Sequence, residues 1–272
     1  MDVNGVKSSP PPVRACLFDM DGLLINSEDL ISICINEVLT EFDKPPLPWH
    51  IKAQPQGRTL EESSKIFHSW AKLPISPEEY QQRLKKLHLR WFPTAKPLAG
   101  VEKLLKNLND AKQVELALAT SSNGDKFQLK SNHLGDIFSV FPYERRVLRD
   151  DPRILPGRHK PAPDIYLLAL KCINDSLSKD SKGQITPQEC LVFEDAIQGV
   201  EAGRRAGMQV LWCPHPGLLE EIRGGEHSIL NGPLFSMGLD GNFSNGINVS
   251  WTRLLLTLED FDYESYGLKA IL

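Results

Sequence analysis

The stretch Cys16-Leu17-Phe18-Asp19-Met20-Asp21-Gly22-Leu23-Leu24 places two carboxylates, one residue apart, directly after a run of apolar residues. A short apolar run of this kind is typical of a buried strand. Two like charges where such a strand ends repel one another and need an ionic partner. A calcium loop of the EF-hand type beginning at Asp19 is excluded, because it needs glycine at position 24 and glutamate at position 30, and both are leucine.

The composition is that of an ordinary globular protein. The 272 residues are 41% hydrophobic and 24% charged, which suffices for one large domain or two moderate ones. A net charge of −4 favours neither nucleic acid nor a membrane surface as a partner. Five dispersed cysteines without a C-x-x-C pair favour a reducing compartment. We therefore expect a cytoplasmic protein, either a monomer or a weak dimer.

Short apolar runs alternate with helical patterns along most of the chain. The runs lie at residues 13–18, 114–119, 190–193 and 208–212. This alternation predicts an α/β fold, with βαβ units that build a parallel sheet covered by helices on both faces. Ligands of such sheets bind at the carboxyl ends of the strands. The residues that follow each strand are therefore the candidates for chemistry.

One mainly helical interval interrupts the alternation and predicts a small inserted cap domain over the strand ends. Its helical patterns lie at residues 31–42, 60–70 and 77–91.

The interval divides the chain as follows: a cap at residues 30–97, a core at residues 13–29 and 98–272, and a flexible lead-in at residues 1–12 that is rich in serine and proline. Within the core, residues 251–262 suggest a final helix or a packing strand, and the aromatic residues after them can cover the core. Residues 215–272 carry no functional motif.

Polar residues follow the first three predicted strands, and a lysine stands just before a predicted helix. In a parallel sheet these groups converge on one edge. Several carboxylates in one small volume favour a hard divalent cation, and Mg²⁺ suits their number. The hydroxyl of Thr120 and the amides of Ser121 and Ser122 at a helix start can donate to an anion, and with a lysine beside them they suit a phosphate. These residues are Asp19 and Asp21, Thr120 and Ser121, Lys160, and Glu194 and Asp195.

Each of these residues also has a purely structural interpretation. Thr120 and Ser121 are common helix-capping types, Lys160 alone resembles a surface lysine, and the acidic pair after the third strand suits a helix N-terminus. In the cap, Gly57 permits close approach of a ligand and Arg58 can bind a second anionic or polar group, with an exposed loop as the alternative.

Taken together, Asp19-Met20-Asp21-Gly22, Thr120, Lys160 and Glu194-Asp195 resemble the four ordered motifs of the haloacid dehalogenase-like hydrolase superfamily. The resemblance extends from Val13 to about Pro214. It implies a Rossmann-like core, a helical cap inserted after the first motif, magnesium dependence and an aspartyl-phosphate intermediate.

Roles carried over from this resemblance assign Asp19 as the nucleophile and Asp21 as the general acid and base. Asp19, the backbone carbonyl of Asp21, and Asp195 would hold Mg²⁺, with Glu194 as a direct or water-mediated ligand. The phosphoryl group would be bound by Thr120, Ser121 and Lys160. True haloacid dehalogenases lack the second aspartate and need no metal, so Asp21 points to phosphate esters.

The segments 149–152 and 157–165 resemble the branch of capped phosphatases that contains pseudouridine 5′-phosphatase. That likeness implies a small phosphorylated metabolite as substrate: nucleotide-like, such as pseudouridine 5′-phosphate, or a sugar or polyol phosphate. Two alternatives stay open at this point. One is a phosphomutase of the same superfamily, and the other is a non-catalytic binding or regulatory protein.

Overall fold

A computed structural model describes residues 9–54, 60–179, 183–231 and 251–270. Within these residues six strands form one parallel sheet in the order β3-β2-β1-β4-β5-β6. The predicted α/β class with a parallel sheet is confirmed. The strands are β1 (Ala15–Phe18), β2 (Glu115–Ala119), β3 (Arg146–Val147), β4 (Cys190–Glu194), β5 (Gln209–Trp212) and β6 (Thr252–Leu254).

Helices surround this sheet and connect its strands. Those between β1 and β2 are α1 (Ser27–Thr40), α2 (Trp49–Ala53), α3 (Leu60–Ala71), α4 (Pro77–Trp91) and α5 (Val101–Ala111). Those that follow β2 are α6 (Gly124–Ser131), α7 (Gly135–Phe138), α8 (Asp164–Lys179), α9 (Ile197–Arg205), α10 (Pro216–Glu221) and α11 (Glu226–Asn231). None of the helices in the described ranges is long and apolar enough to cross a membrane.

The central strand β1 is buried on both faces, as its uninterrupted apolar sequence predicts. Because successive side chains of a strand point to opposite faces, Cys16 and Phe18 enter one hydrophobic cluster while Ala15 and Leu17 enter the other. Phe18 stacks on Phe193 of β4 with ring centroids 4.3 Å apart. The sheet therefore has a packed core on each side.

The register of the central strands brings their carboxyl ends to one edge. Phe18 pairs with Leu118 of β2 and with Phe193 of β4. The next residue, Asp19, donates its backbone N–H to the carbonyl of Phe193 at 3.0 Å. Residues that follow β1, β2 and β4 consequently lie side by side, as the βαβ pattern predicts.

Helices α1 to α4 form the predicted helical insertion between β1 and the rest of the core. Helix α4 begins with Ser76, whose hydroxyl accepts the N–H of Glu79 at 3.1 Å, and with proline in its first turn. Helices α1 and α4 share a separate small hydrophobic cluster of Cys34, Val38, Tyr80 and Leu84. The exact cap limits at residues 30 and 97 stay a prediction.

Strands β3 and β6 were not predicted outright. Strand β3 has two residues and pairs with one neighbour, so its sequence carries almost no period-two signal. The open choice for residues 251–262 is settled as strand β6 followed by a short 3₁₀ turn at Leu258–Asp260. The aromatic Phe261 and Tyr266 beyond it are buried in the core cluster that also contains Phe18.

Candidate active site

The turn after β1 holds the Asp19 and Asp21 pair beside the end of β4. Gly22 adopts a φ of +80°, and an added Cβ there would lie 2.3 Å from a carboxylate oxygen of Asp195. Only glycine meets both conditions without strain. The turn therefore brings the backbone after the aspartate pair into close contact with the acid that follows β4.

Asp19 is 5% exposed and both of its carboxylate oxygens are bonded. Oδ1 accepts the ammonium of Lys160 at 2.5 Å, and Oδ2 accepts the backbone N–H of Asp21 at 2.8 Å. Burial raises the pKa of Asp19, and the positive charge of Lys160 lowers it. The negative charges of Glu194 and Asp21 raise it again, to about 7. Lys160 thus lies against the predicted nucleophile, inside the site.

Glu194, at the end of β4, already accepts four hydrogen bonds. Oε1 accepts the Lys160 ammonium at 2.6 Å and the Tyr166 hydroxyl at 2.7 Å, and Oε2 accepts the backbone N–H groups of Asp195 and Ala196 at 3.0 and 3.1 Å. A carboxylate offers about four lone-pair directions. Glu194 is therefore committed to fixing Lys160 and the following turn, which favours the water-mediated role for it over direct metal ligation.

Asp19, Glu194 and Asp195 form a buried group that we call the acidic cluster. One carboxylate oxygen from each lies within 4.8 Å of the others. Asp195 is buried, and burial together with the charges of Glu194 and Asp19 raises its pKa well above the usual range. Lys160 supplies one positive charge to three acids. Oxygen ligands with this excess of negative charge fit a hard divalent cation.

Asp21 accepts hydrogen bonds from a different set of side-chain donors. Its Oδ1 accepts the Ser27 hydroxyl at 2.6 Å and the buried ammonium of Lys130, and its Oδ2 accepts the Ser122 hydroxyl at 2.6 Å. Burial alone would raise the pKa of Asp21, but the charge and hydrogen bond of Lys130 lower it to about 2. The two neighbouring aspartates are therefore held by two different lysines, Lys160 and Lys130.

Thr120 lies fully buried at the end of β2, with Oγ1 at 3.5 Å from Oδ2 of Asp21. The sequence interpretation placed free amides of Ser121 and Ser122 at a helix start, and this needs correction. The N–H of Ser122 donates to Thr120 Oγ1 at 3.0 Å, and helix α6 begins only at Gly124. Ser121 is the exposed residue of this loop, next to the site.

The start of α6 also has its own acidic partner. Both carboxylate oxygens of Asp150 accept the N–H of Gly124, at 3.2 and 3.1 Å. Any phosphate at this edge would meet the loop before the helix. The two predicted cap residues, Gly57 and Arg58, lie outside the described residues.

The sequence interpretation missed four side chains that shape the site: Ser27, Ser122, Lys130 and Tyr166. For Lys130 a signal was present, because it lies three residues after Phe127 on the apolar stripe of a helix that follows a site loop. A lysine on such a stripe is buried only when it is paired. The serines and the tyrosine gave no such signal.

The match to a known family identifies the fold. The family model described as haloacid dehalogenase-like hydrolase matches residues 16–213 of the chain. The chain belongs to the haloacid dehalogenase-like hydrolases. The resemblance seen in the four motifs is thereby confirmed, and so is the Rossmann-like core with an inserted helical cap that it implied.

Several relatives of the chain are named as phosphatases. The chain is 40% identical over 259 residues to the probable pseudouridine-5′-phosphatase of Saccharomyces cerevisiae, covering 95% of this chain and 99% of the relative. It is 33% identical to (DL)-glycerol-3-phosphatase 2 of Arabidopsis thaliana, covering 74% and 80%. A hydrolase of the family from Deinococcus radiodurans R1, crystallised with bound phosphate and sodium, is 26% identical with a TM-score of 0.58, covering 76% and 82%. The present chain is a phosphatase of this family.

Proposed function

We propose that this phosphatase is a magnesium-dependent phosphomonoesterase that works through phosphorylation of Asp19. The observation that carries the proposal is that Asp19 and Asp21, at the end of β1, have different hydrogen-bond and charge partners. Asp19 belongs to the acidic cluster with Lys160, while Asp21 has an independent set of donors. Two adjacent carboxylates with different surroundings suit two different roles, nucleophile and proton carrier.

In the first half of the reaction, a carboxylate oxygen of Asp19 attacks phosphorus and the bond from phosphorus to the ester oxygen breaks. A proton carried by the bound phosphate ester passes through the carboxylate of Asp21 to the leaving oxygen, which departs as the alcohol. Lys160 lies 2.5 Å from Asp19 and compensates charge on the transferring group. Thr120 and the Ser121 loop lie where they can bind the other phosphoryl oxygens.

In the second half, water attacks the phosphorus of phospho-Asp19 and gives a proton to the carboxylate of Asp21. The acyl-phosphate bond breaks, the Asp19 carboxylate is restored and inorganic phosphate leaves. The bonds from Ser27, Ser122 and Lys130 hold Asp21 ionised, which is the form that accepts this proton. Over the full cycle one ester and one water become one alcohol and one phosphate.

A divalent cation would be held by Asp19, Asp195 and the backbone carbonyl of Asp21, with Glu194 acting through water. When bound, Mg²⁺ would neutralise the acidic cluster and withdraw negative charge from the phosphoryl oxygens. The support for this ligand set is the buried cluster itself, in which three acids share the single charge of Lys160.

For the substrate we propose a small phosphorylated metabolite, either nucleotide-like, such as pseudouridine 5′-phosphate, or a polyol phosphate. The names of the yeast and plant relatives support these two classes. The cap would close over the bound ester and exclude bulk water during phosphoryl transfer. Gly57 and Arg58 are our candidates for contact with the part of the substrate beyond the phosphate.

We further propose a cytoplasmic location and a monomer or weak dimer that needs no nucleic acid. All five cysteines are free, and four of them are buried, which suits a reducing compartment.

The test is phosphate release from pseudouridine 5′-phosphate, glycerol 3-phosphate, nucleotides and sugar phosphates, with Mg²⁺ and with a chelator. We expect magnesium-dependent release by the wild type and none by Asp19→Asn, whose isosteric amide keeps the fold but cannot attack phosphorus. Asp175→Asn, on the exposed face of α8, serves as the matched control and should keep full activity.

Full activity in Asp19→Asn, or activity that is independent of metal, would overturn the proposal. Transfer of phosphate between positions on a sugar, without net release, would identify a phosphomutase instead.

A further inference from the structure

Lys130 is a fully buried lysine that none of the predicted roles uses. It lies near the end of α6, and 2% of its side chain is exposed. Its Nζ donates to Oδ1 of Asp21 and to the Ser122 hydroxyl at 2.7 Å, and it lies 5.0 Å from the ring centroid of Phe92. A buried ammonium is expensive unless paired, so this pairing is specific rather than incidental.

The contacts of Lys130 close a triangle around one carboxylate. Lys130 donates directly to Oδ1 of Asp21, and it also donates to the Ser122 hydroxyl, which in turn donates to Oδ2 at 2.6 Å. Ser27 supplies a third anchor, to Oδ1 at 2.6 Å. With donors on both oxygens, the carboxylate plane of Asp21 is fixed in rotation as well as in position.

Helix α6 gives Lys130 a rigid support. The short 3₁₀ helix Phe92–Thr94 packs against α6, and Phe127 lies on the same buried face as Lys130. The opposite end of α6 is fixed by the bonds from Gly124 to Asp150. A lysine held on a packed helix is well suited to position another group, because its own rotamer is set by its surroundings.

We propose that Lys130 is a positioning residue that orients Asp21 for proton transfer to the leaving group and from water. The inference rests on the proposed function, since it assigns Asp21 the proton-carrying role. Lys130 acts through Asp21 and Ser122, whereas Lys160 contacts the nucleophile. Each aspartate of the D-x-D pair thus has its own lysine, one for phosphoryl transfer and one for proton transfer.

The test replaces Lys130 with methionine, which has similar length and no charge, and compares two aryl esters of similar size. Phenol is a poor leaving group and needs a proton, whereas 4-nitrophenol leaves readily without one. We expect Lys130→Met to lower kcat/KM about 10- to 100-fold for phenyl phosphate and less than about 3-fold for 4-nitrophenyl phosphate. The ratio reports only the steps up to phospho-Asp19, so the shared hydrolysis step does not mask the difference.

Three further variants separate positioning from damage to the fold. Gln128→Met, on the exposed side of α6, should leave both esters unaffected. Ser122→Ala removes the hydroxyl that bonds both Lys130 and Asp21. It should lower kcat/KM more for phenyl phosphate than for 4-nitrophenyl phosphate, by a smaller ratio than Lys130→Met does. This variant tests the inference even if Lys130→Met folds poorly. Adding Lys130→Met to Asp21→Asn should cause no additional loss on phenyl phosphate, because the group to be positioned is already inactive.

An equal loss on both esters, or no loss on either, would overturn the inference. A crystal structure of Lys130→Met gives a readout independent of activity: we expect the Asp21 carboxylate to turn away from Ser27 and Ser122, and an unchanged carboxylate would refute the positioning role. If the wild type hydrolyses neither aryl ester but releases phosphate from one of the metabolites named above, the proposed function stands; if it releases phosphate from none of them, the proposed function fails. In both cases the crystal structure alone decides whether Lys130 positions Asp21.

Discussion

Replacing Gly199 with alanine tests whether Glu194 must lie where the structure places it. Gly199 is in the first turn of α9, and an added Cβ would lie 1.6 Å from Oε1 of Glu194 and 1.9 Å from its Cδ. Since Cβ contacts under 3.0 Å are essentially never seen, the carboxylate has to move by about 1.4 Å. Glycine is thus required here by space rather than by a backbone angle.

The energetic effect follows from the two bonds that this movement breaks. Oε1 of Glu194 accepts Lys160 at 2.6 Å and the Tyr166 hydroxyl at 2.7 Å, and neither bond survives a shift of that size. We expect the free energy of unfolding to fall by about 2–4 kcal/mol, because bonds to a charged partner contribute about 1.5–3 kcal/mol each and Lys160 keeps Asp19. Because Lys160 loses the bond from its ammonium to Glu194, its position against Asp19 is less fixed, and kcat should fall about 100-fold.

The assay combines urea denaturation with phosphate release at saturating ester. Gly135→Ala is the matched control, because an added Cβ there meets no atom within 4 Å and its φ is not positive. Wild-type activity and stability in Gly199→Ala, equal to those of Gly135→Ala, would refute the claim that Glu194 fixes Lys160.

Three further outcomes are expected. Gly22→Ala should fold but bind Mg²⁺ more weakly in calorimetry, because its Cβ would lie 2.3 Å from an oxygen of the acidic cluster. Gly157→Ala is the control, because Gly157 shares the positive φ but its added Cβ would meet no atom within 4 Å. Equal losses of metal affinity in the two variants would mean that backbone strain alone is responsible. Burial and two nearby lysines lower the pKa of His88 to about 4, so stability from its neutral form is lost as pH falls from about 6.5 toward 4. His88→Gln should therefore flatten the decline in melting temperature across that range, whereas replacing the exposed His50 by glutamine should not, and an unchanged decline would exclude His88. Tyr166→Phe should lower the free energy of unfolding by about 1–3 kcal/mol in urea denaturation, and no change would mean that its hydroxyl contributes nothing.

The edge of the sheet that carries the chemistry was predictable because parallel strands give a local signal. Four apolar runs matched β1, β2, β4 and β5, and the first three of them were followed by polar residues. Parallel topology then requires those residues to converge, so Asp19, Thr120 and Glu194 could be grouped without coordinates. The same reasoning did not predict strand β3, because a strand of two residues shows no periodicity in its sequence.

The partners within the site were only partly predictable. The sequence pointed to Lys160 through its place before a helix, but nothing local indicated that Glu194 uses all its lone pairs on Lys160, Tyr166 and the following turn. The expectation of a free amide at Ser122 was also wrong, because no local pattern showed that this amide is already bonded. Its donor is used by Thr120, two residues earlier, and this depends on how the loop turns.

The sequence by itself determined the fold class, the strand ends and the set of acids and cations that meet there, because apolar periodicity and the order of the motifs are local properties of the chain. Only the tertiary structure decided which cation serves which carboxylate. Lys130 and Asp21 are 109 residues apart in the chain, and their contact depends on how α6 packs in the fold, against the 3₁₀ helix Phe92–Thr94. Such a pairing is fixed by the requirement that a buried charge finds a partner in three dimensions, and no local pattern encodes it.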